Sequence, residues 1–178
     1  MGKNQKQITL DIQGKISNEH LILLQEKIPK IKEKKTLHLE VSSGGGDSNV
    51  AKSMRNIIAR LKEDGVEVTS NGKIIVGSAA LLLYLQGSFR TLDPLTKVII
   101  DLPHKIVEKK ILLGNSEIGQ YLQGLIEENN LLLKARQEWV EEIARITLNS
   151  VGKIFEMEEK ELSCQDSYVL GFCHSLNV

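Results

Sequence analysis

The sequence predicts an α/β domain with a largely parallel sheet flanked by helices, and three observations carry that expectation. Short segments that alternate apolar and polar residues recur along the first hundred positions. Segments with apolar residues at helical spacing separate them, the repeated strand–helix–strand pattern of parallel sheets. Glycine or aspartate sits at most of the junctions, where the chain must turn. At 178 residues the chain fits one domain with a sizeable core, so residues 1–178 are read as a single unit.

Residues 7–13 alternate at period two and stop at Gly14, a half-buried strand. Ser17 to His20 has helix N-cap chemistry, and Leu21, Ile22, Leu24, Ile28 and Ile31 then mark one helical face, with Pro29 near its end. A second alternating strand covers Thr36 to Val41 and runs into Gly44, Gly45 and Gly46. Asp47 or Ser48 caps the next helix, on which Val50, Met54, Ile57, Ile58 and Leu61 recur. Asp64-Gly65 forms a turn, and Val66 to Thr69 starts a third strand. Ser78 opens a short apolar helix that closes at Gly87. A turn at Asp93-Pro94 leads to a fourth strand, Lys97 to Asp101. From Glu117 to Leu148 the period becomes helical, as one long helix or two with a break near Asn129-Asn130. That helix exceeds what one domain surface needs, so it is expected to project and pack on a neighbouring subunit. A short helix ending at Gly171 closes the chain.

Composition excludes several function classes. The formal net charge is zero and aromatic residues make up 4 %, which argues against nucleic-acid binding by charge or base stacking. Lysines cluster at Lys27 to Lys35 and Lys105 to Lys110, read as solvated surface. The longest apolar run, Ile74 to Leu85, is too short to cross a bilayer, and the first residues lack a signal-peptide core. Cys164 and Cys173 match no zinc or redox spacing and fit a reducing compartment. The glycine loop lacks the Lys-Ser/Thr of a nucleotide-binding loop and the dinucleotide spacing. These features point to a cytoplasmic protein without metal or cofactor.

The strongest chemical signal is the pairing of that glycine loop with Ser78. Several glycines after a strand let backbone N–H groups approach a reacting oxygen. A serine at the start of an apolar helix presents a hydroxyl in a dry setting. Together they supply a nucleophile and an oxyanion hole for acyl transfer.

Landmarks in order resemble the proteolytic subunit of the ATP-dependent Clp protease, of the crotonase-like superfamily. Gln13-Gly-Lys-Ile-Ser17 resembles the turn after that family's first strand, and Val41-Ser-Ser-Gly-Gly-Gly46 its strand and Ser-Pro-Gly-Gly loop. Ser78 precedes Gly87 by nine residues, as the family nucleophile precedes the glycine ending its helix. Residues 93–100 resemble the stretch leading to the catalytic histidine, and residues 162–171 the closing Leu-Ser-Ala-x-Glu-Ala-x-x-x-Gly. The resemblance covers about Ile8 to Leu176 and implies a ClpP/crotonase-like fold with a handle-like helix within about 117–148. It places Ser78 as nucleophile and the N–H groups of Gly45 and Ala79 as oxyanion hole. It implies peptide substrates and a ring-shaped homo-oligomer.

The catalytic histidine falls on Asp101 and the orienting aspartate on Glu159. A carboxylate with an ordinary pKa near about 4 is a poor base for a serine hydroxyl. Activity is therefore expected to be weak or lost, and a non-catalytic structural or regulatory ring subunit or binding module is the alternative. His104 is the substitute base, although three residues along a strand reverse the side-chain face. Lys105 or Lys109 would serve a Ser-Lys dyad, and Asp101 with Glu159 would form a carboxylate pair. A crotonase acting on acyl-CoA is a third idea. The family's first helix is missing before residue 8, and residues 102–111 are charged where the family carries a glycine-rich substrate strand. The first departure weakens docking of an AAA+ unfoldase; the second weakens strand addition of substrate.

Overall fold

The computed structural model describes residues 7–103 and 118–177. His104, Lys105 and Lys109, named above as alternative bases, lie outside the described residues.

Alternation in the sequence becomes one-sided burial in the first two strands. In β1 (Ile8–Gln13) Leu10 and Ile12 point into the core, and in β2 (Thr36–Ser43) every second residue, Leu37, Leu39, Val41 and Ser43, is buried. The two strands pair in parallel, with Leu10 opposite Leu39. The connection is α1 (Asn18–Lys34), which buries Leu24 and Ile31. Pro29 does not end this helix, which continues five residues beyond it to Lys34. The following α2 (Ser48–Glu63) is capped by Asp47, whose carboxylate accepts from the N–H groups of Asn49 (2.8 Å) and Val50 (3.1 Å). Its apolar stripe, Val50, Met54, Ile58 and Leu61, packs on the same face of the sheet as α1.

The third strand, whose end the sequence leaves open, is the longest of the described strands. It runs through β3 (Glu67–Gly77), well past Thr69, and serves two neighbours in turn. Residues 69–72 pair in parallel with β4 (Phe89–Leu92), and residues 75–77 pair in parallel with β5 (Lys97–Ile99). The switch falls at Ile74, which is exposed and adopts φ 61°. A β-branched residue in the left-handed region is uncommon and marks the place where the strand turns out of its first ladder. The expected fourth strand thus is β5, two residues shorter than expected, with Ile100 held in an isolated bridge to Glu158.

After β3 comes α3 (Ser78–Tyr84), in which Ala79 to Tyr84 are all buried. The long α4 (Ile118–Thr147) is continuous through Asn129 and Asn130. Its C-terminal third buries Trp139, Val140, Ile143 and Ala144, while Leu122, Ile126, Leu131 and Leu133 stay exposed. Three short elements follow: α5 (Val151–Glu156), β6 (Glu161–Leu162) and α6 (Cys164–Val169). The last strand is β7 (Ser175–Leu176). The described strands form one sheet in the order β1-β2-β3-β4-β7, with β5 on the far half of β3 and β6 antiparallel to β5. All other pairings are parallel.

Buried Arg90 ties the end of the chain to β4. Its guanidinium donates to the carbonyls of Phe172 (2.8 Å), Gly87 (3.0 Å) and Gly171 (3.2 Å). Three carbonyls disperse the charge of a side chain that burial would otherwise penalise.

Candidate active site

Ser78 stands where β3 ends and α3 begins. Its φ is 48°, in the left-handed region that costs an L-residue about 1–2 kcal/mol. The turn aims the serine out of the strand while the apolar body of α3 fixes the backbone behind it, a strand–serine–helix arrangement used by nucleophile elbows. Ser78 is half-buried.

The glycine loop closes over it. A methyl group built on Gly45 would lie 2.6 Å from Ser78 Cβ and 3.0 Å from its Oγ, and Gly45 has φ 120°. A methyl group on Gly46 would lie 2.4 Å from the backbone N of Ile16. Ile16 in turn donates its N–H to Gly45 O at 2.9 Å and accepts at its carbonyl from Asp47 N–H at 3.1 Å. Only glycine fits at both positions, so the turn after β1 and the loop after β2 are locked backbone to backbone.

Ser78 opens onto a cleft of about 380 Å³. Gly44, Gly46, Ser48 and Asp101 supply its other polar lining, and Leu102, Pro103, Leu132 and Trp139 its apolar wall. The structure therefore brings Ser78 and Asp101 to one cleft. Glu159 does not line that cleft; it is exposed, has φ 63°, and is tied in by its N–H, which donates to Ile100 O at 2.8 Å. Its neighbour Glu158 carries the ion pair of this corner, 2.7 Å from the Arg136 guanidinium. Arg136 also donates to Pro103 O at 3.3 Å, so one side chain of α4 holds both the Glu158 turn and the cleft wall beyond Asp101.

Of the two expected oxyanion donors, Ala79 N–H belongs to the first turn of α3, where backbone donors lack helical acceptors. Gly45 N–H is already used: it donates to Ser43 Oγ at 3.1 Å, and the Ser43 hydroxyl donates to Gly45 O at 3.2 Å. Any other acceptor brought to Gly45 N–H would have to displace Ser43 Oγ. Sequence reasoning did not place Ser43, Ser48, Leu132 or Trp139 at the site. The adjacent pair Ser42-Ser43 before the glycines was a visible signal for the first, whereas Leu132 and Trp139 arrive from α4 and carried none. Among the described residues, no three His, Cys, Asp or Glu side chains converge on a possible metal position, and no helix is long and apolar enough to cross a membrane.

The mostly parallel sheet and its flanking helices form a ClpP-like α/β fold. Among solved structures, an Asn-to-Asp mutant of ClpP1 from Listeria monocytogenes matches 95 % of this chain and 90 % of its own with a TM-score of 0.74. The two sequences are 20 % identical, so the likeness establishes the fold, a mostly parallel sheet with flanking helices. No family model matches the sequence, and no curated protein matches it.

Proposed function

We propose that this chain is a divergent Clp-type serine peptidase subunit whose peptide-bond hydrolysis is weak because the base has been replaced. Ser78 is the nucleophile, Ala79 N–H and, once released from Ser43 Oγ, Gly45 N–H receive the developing oxyanion, Asp101 stands at the base position and Glu159 at that of the orienting carboxylate. The observation that carries this reading is Ser78 itself, held in a left-handed turn against Gly45 and opening onto a cleft it shares with Asp101. Ile74 and Glu159 also take positive φ, so the strain at Ser78 supports this reading only together with the Gly45 contact and the shared cleft. Without an imidazole the expected turnover is weak, since a positioned general base contributes about 10²–10⁴ in rate.

A second reading, a non-catalytic ring subunit or binding module, is favoured by Gly45 N–H being engaged by Ser43 and by the exposed position of Glu159. Self-association belongs to both readings, supported by the exposed apolar residues Leu122, Ile126, Leu131 and Leu133 of α4. Two free thiols, Cys164 and Cys173, support a cytoplasmic setting.

A fluorophosphonate probe with peptide mapping separates the readings. A phosphonyl adduct on the Ser78 peptide, lost in Ser78→Ala, supports an activated nucleophile. No adduct on that peptide across a broad pH range overturns the peptidase reading and leaves the non-catalytic one.

A further inference from the structure

The face of the sheet opposite the helices carries a second hydroxyl–imidazole–carboxylate array, remote from the cleft. In the parallel ladder His38 on β2 lies opposite Thr69 on β3, and Glu40 follows His38 by two residues on the same face. Thr69 Oγ1 is 2.7 Å from His38 Nδ1, and His38 Nε2 is 2.8 Å from Glu40 Oε1. Glu40 Oε2 lies 2.6 Å from the Lys73 ammonium, off the direction of a good hydrogen bond but close enough for a strong charge contact. Thr69 also receives a hydrogen bond, from Gln7 Nε2 at 3.0 Å.

The inventory of donors fixes the direction of each bond. Burial pushes the Glu40 carboxyl up, but the Lys73 ammonium and the His38 ring beside it outweigh that and hold it below the usual carboxylate value. Glu40 is thus an ionised acceptor, and His38 Nε2 must carry the proton that faces it. In the neutral ring Nδ1 is then a bare lone pair aimed at Thr69 Oγ1. Gln7 can only donate to that oxygen, so the hydroxyl proton of Thr69 points to His38. A base oriented by a carboxylate and directed at a hydroxyl is the logic of an activated nucleophile.

We propose that Thr69 is a second, Ser78-independent acyl acceptor that takes small activated carboxylic and phosphonic esters on the open face of the sheet. Thr69 Oγ1 bonds to the acyl carbon as its proton passes to His38 Nδ1, and the ester C–O bond breaks as the imidazolium returns that proton to the departing alkoxide. Water then hydrolyses the threonyl ester. Thr69 and His38 are half-buried, and Glu40 Oε2 is buried behind them. The site does not rest on the role of Ser78.

The test uses full-length Ser78→Ala and diisopropyl fluorophosphate, whose adduct does not turn over: fluoride leaves and the phosphoryl group stays on the oxygen. Peptide mapping compares Thr69 with Thr9, opposite His38 on the same face, and with Thr36, whose buried hydroxyl sets the background. The expected result is a Thr69 adduct well above both, reduced about 100-fold by His38→Gln, in line with loss of a general base. Glu40→Gln lowers it as well, and Thr69→Ser keeps or raises it. Thermal melting monitors the fold of each variant, and Thr69→Ser keeps the proposal testable should His38→Gln unfold. Labelling of Thr69 no greater than Thr9 or Thr36, or unchanged labelling in folded His38→Gln, overturns the proposal and makes the array a structural polar ladder.

Discussion

Replacing Gly45 with alanine tests the contact between the loop and Ser78 directly. The new methyl group meets Ser78 Cβ at 2.6 Å, Ser78 Oγ at 3.0 Å and Ala79 N at 3.4 Å. Overpacking of this kind costs about 1–3 kcal/mol. A side chain at φ 120° adds about 1–3 kcal/mol of backbone strain. The sum, about 2–6 kcal/mol, is a large part of the roughly 5–15 kcal/mol that holds a domain together. Ser78→Gly deletes the two nearest atoms at once. It also relieves the left-handed strain at 78, while the added chain entropy of glycine offsets about half of that gain. Gly45→Ala in the Ser78→Gly background should therefore recover the steric part, a coupling of about 1–3 kcal/mol. Urea unfolding followed by circular dichroism reads this as a difference in midpoint on the order of 1 M, given slopes of about 1–3 kcal/mol per M. Equal costs in the two backgrounds, within about 0.5 kcal/mol, would refute the packing of Gly45 on Ser78 and with it the cradle.

Asp101→His should create turnover of small fluorogenic peptides, abolished by Ser78→Ala, with a gain of about 10²-fold or more. A folded Asp101→His protein with no turnover places the loss beyond the base, at Gly45 and Ser43 first, and turnover by the unmodified chain that disappears in His104→Ala moves the base to His104. Acidification should destabilise the fold through His174, whose pKa is lowered by burial and by the Arg90 charge and whose Nδ1 accepts from Arg90 N–H at 3.0 Å. The unfolded chain binds that proton first, so stability is full above the ordinary value of about 6.5 and falls as pH drops below it. His174→Gln should flatten urea midpoints measured between pH 7 and about pH 5, and an unchanged slope would remove His174 from the account. Ile126→Glu, at an α4 position 54 % exposed, should bring the light-scattering mass to one chain of 19.9 kDa. A mass above one chain in Ile126→Glu, equal to that of the unmodified protein, would take this face of α4 out of the interface.

The parts of the fold that could be read from sequence are those whose residues repeat a local period. β1 and β2 alternate and bury one face, and α2 repeats its stripe behind an aspartate cap, so each declares itself. The full length of β3 was hidden because Ile74 and Ser78 both take positive φ inside one apolar run, which erases the period. β4 depends on partners far along the chain, since Arg90 finds its acceptors at Gly171 and Phe172. β6 and β7 have two residues each, too few to show any pattern. Asn129 and Asn130 suggested a break that α4 does not make, because both side chains are exposed and leave the helix backbone undisturbed. At the candidate site, the chain neighbours of Ser78 and the glycine loop were legible from order and spacing. The engagement of Gly45 by Ser43, and the wall from α4, arise only once distant segments meet.

The fit of Gly46 against the backbone of Ile16 has a consequence for how such a chain drifts over generations. Any side chain at 46 forces two loops apart, and any at 45 strikes Ser78, so both glycines are policed by folding before chemistry is ever consulted. Asp101 is half-buried at the cleft and is not bound by that steric limit. A lineage that ceases to need acyl transfer would keep its glycine loop and its strained serine long after position 101 had wandered. An intact glycine loop is for that reason a sign that the two loops still pack, and it says nothing of what the cleft does.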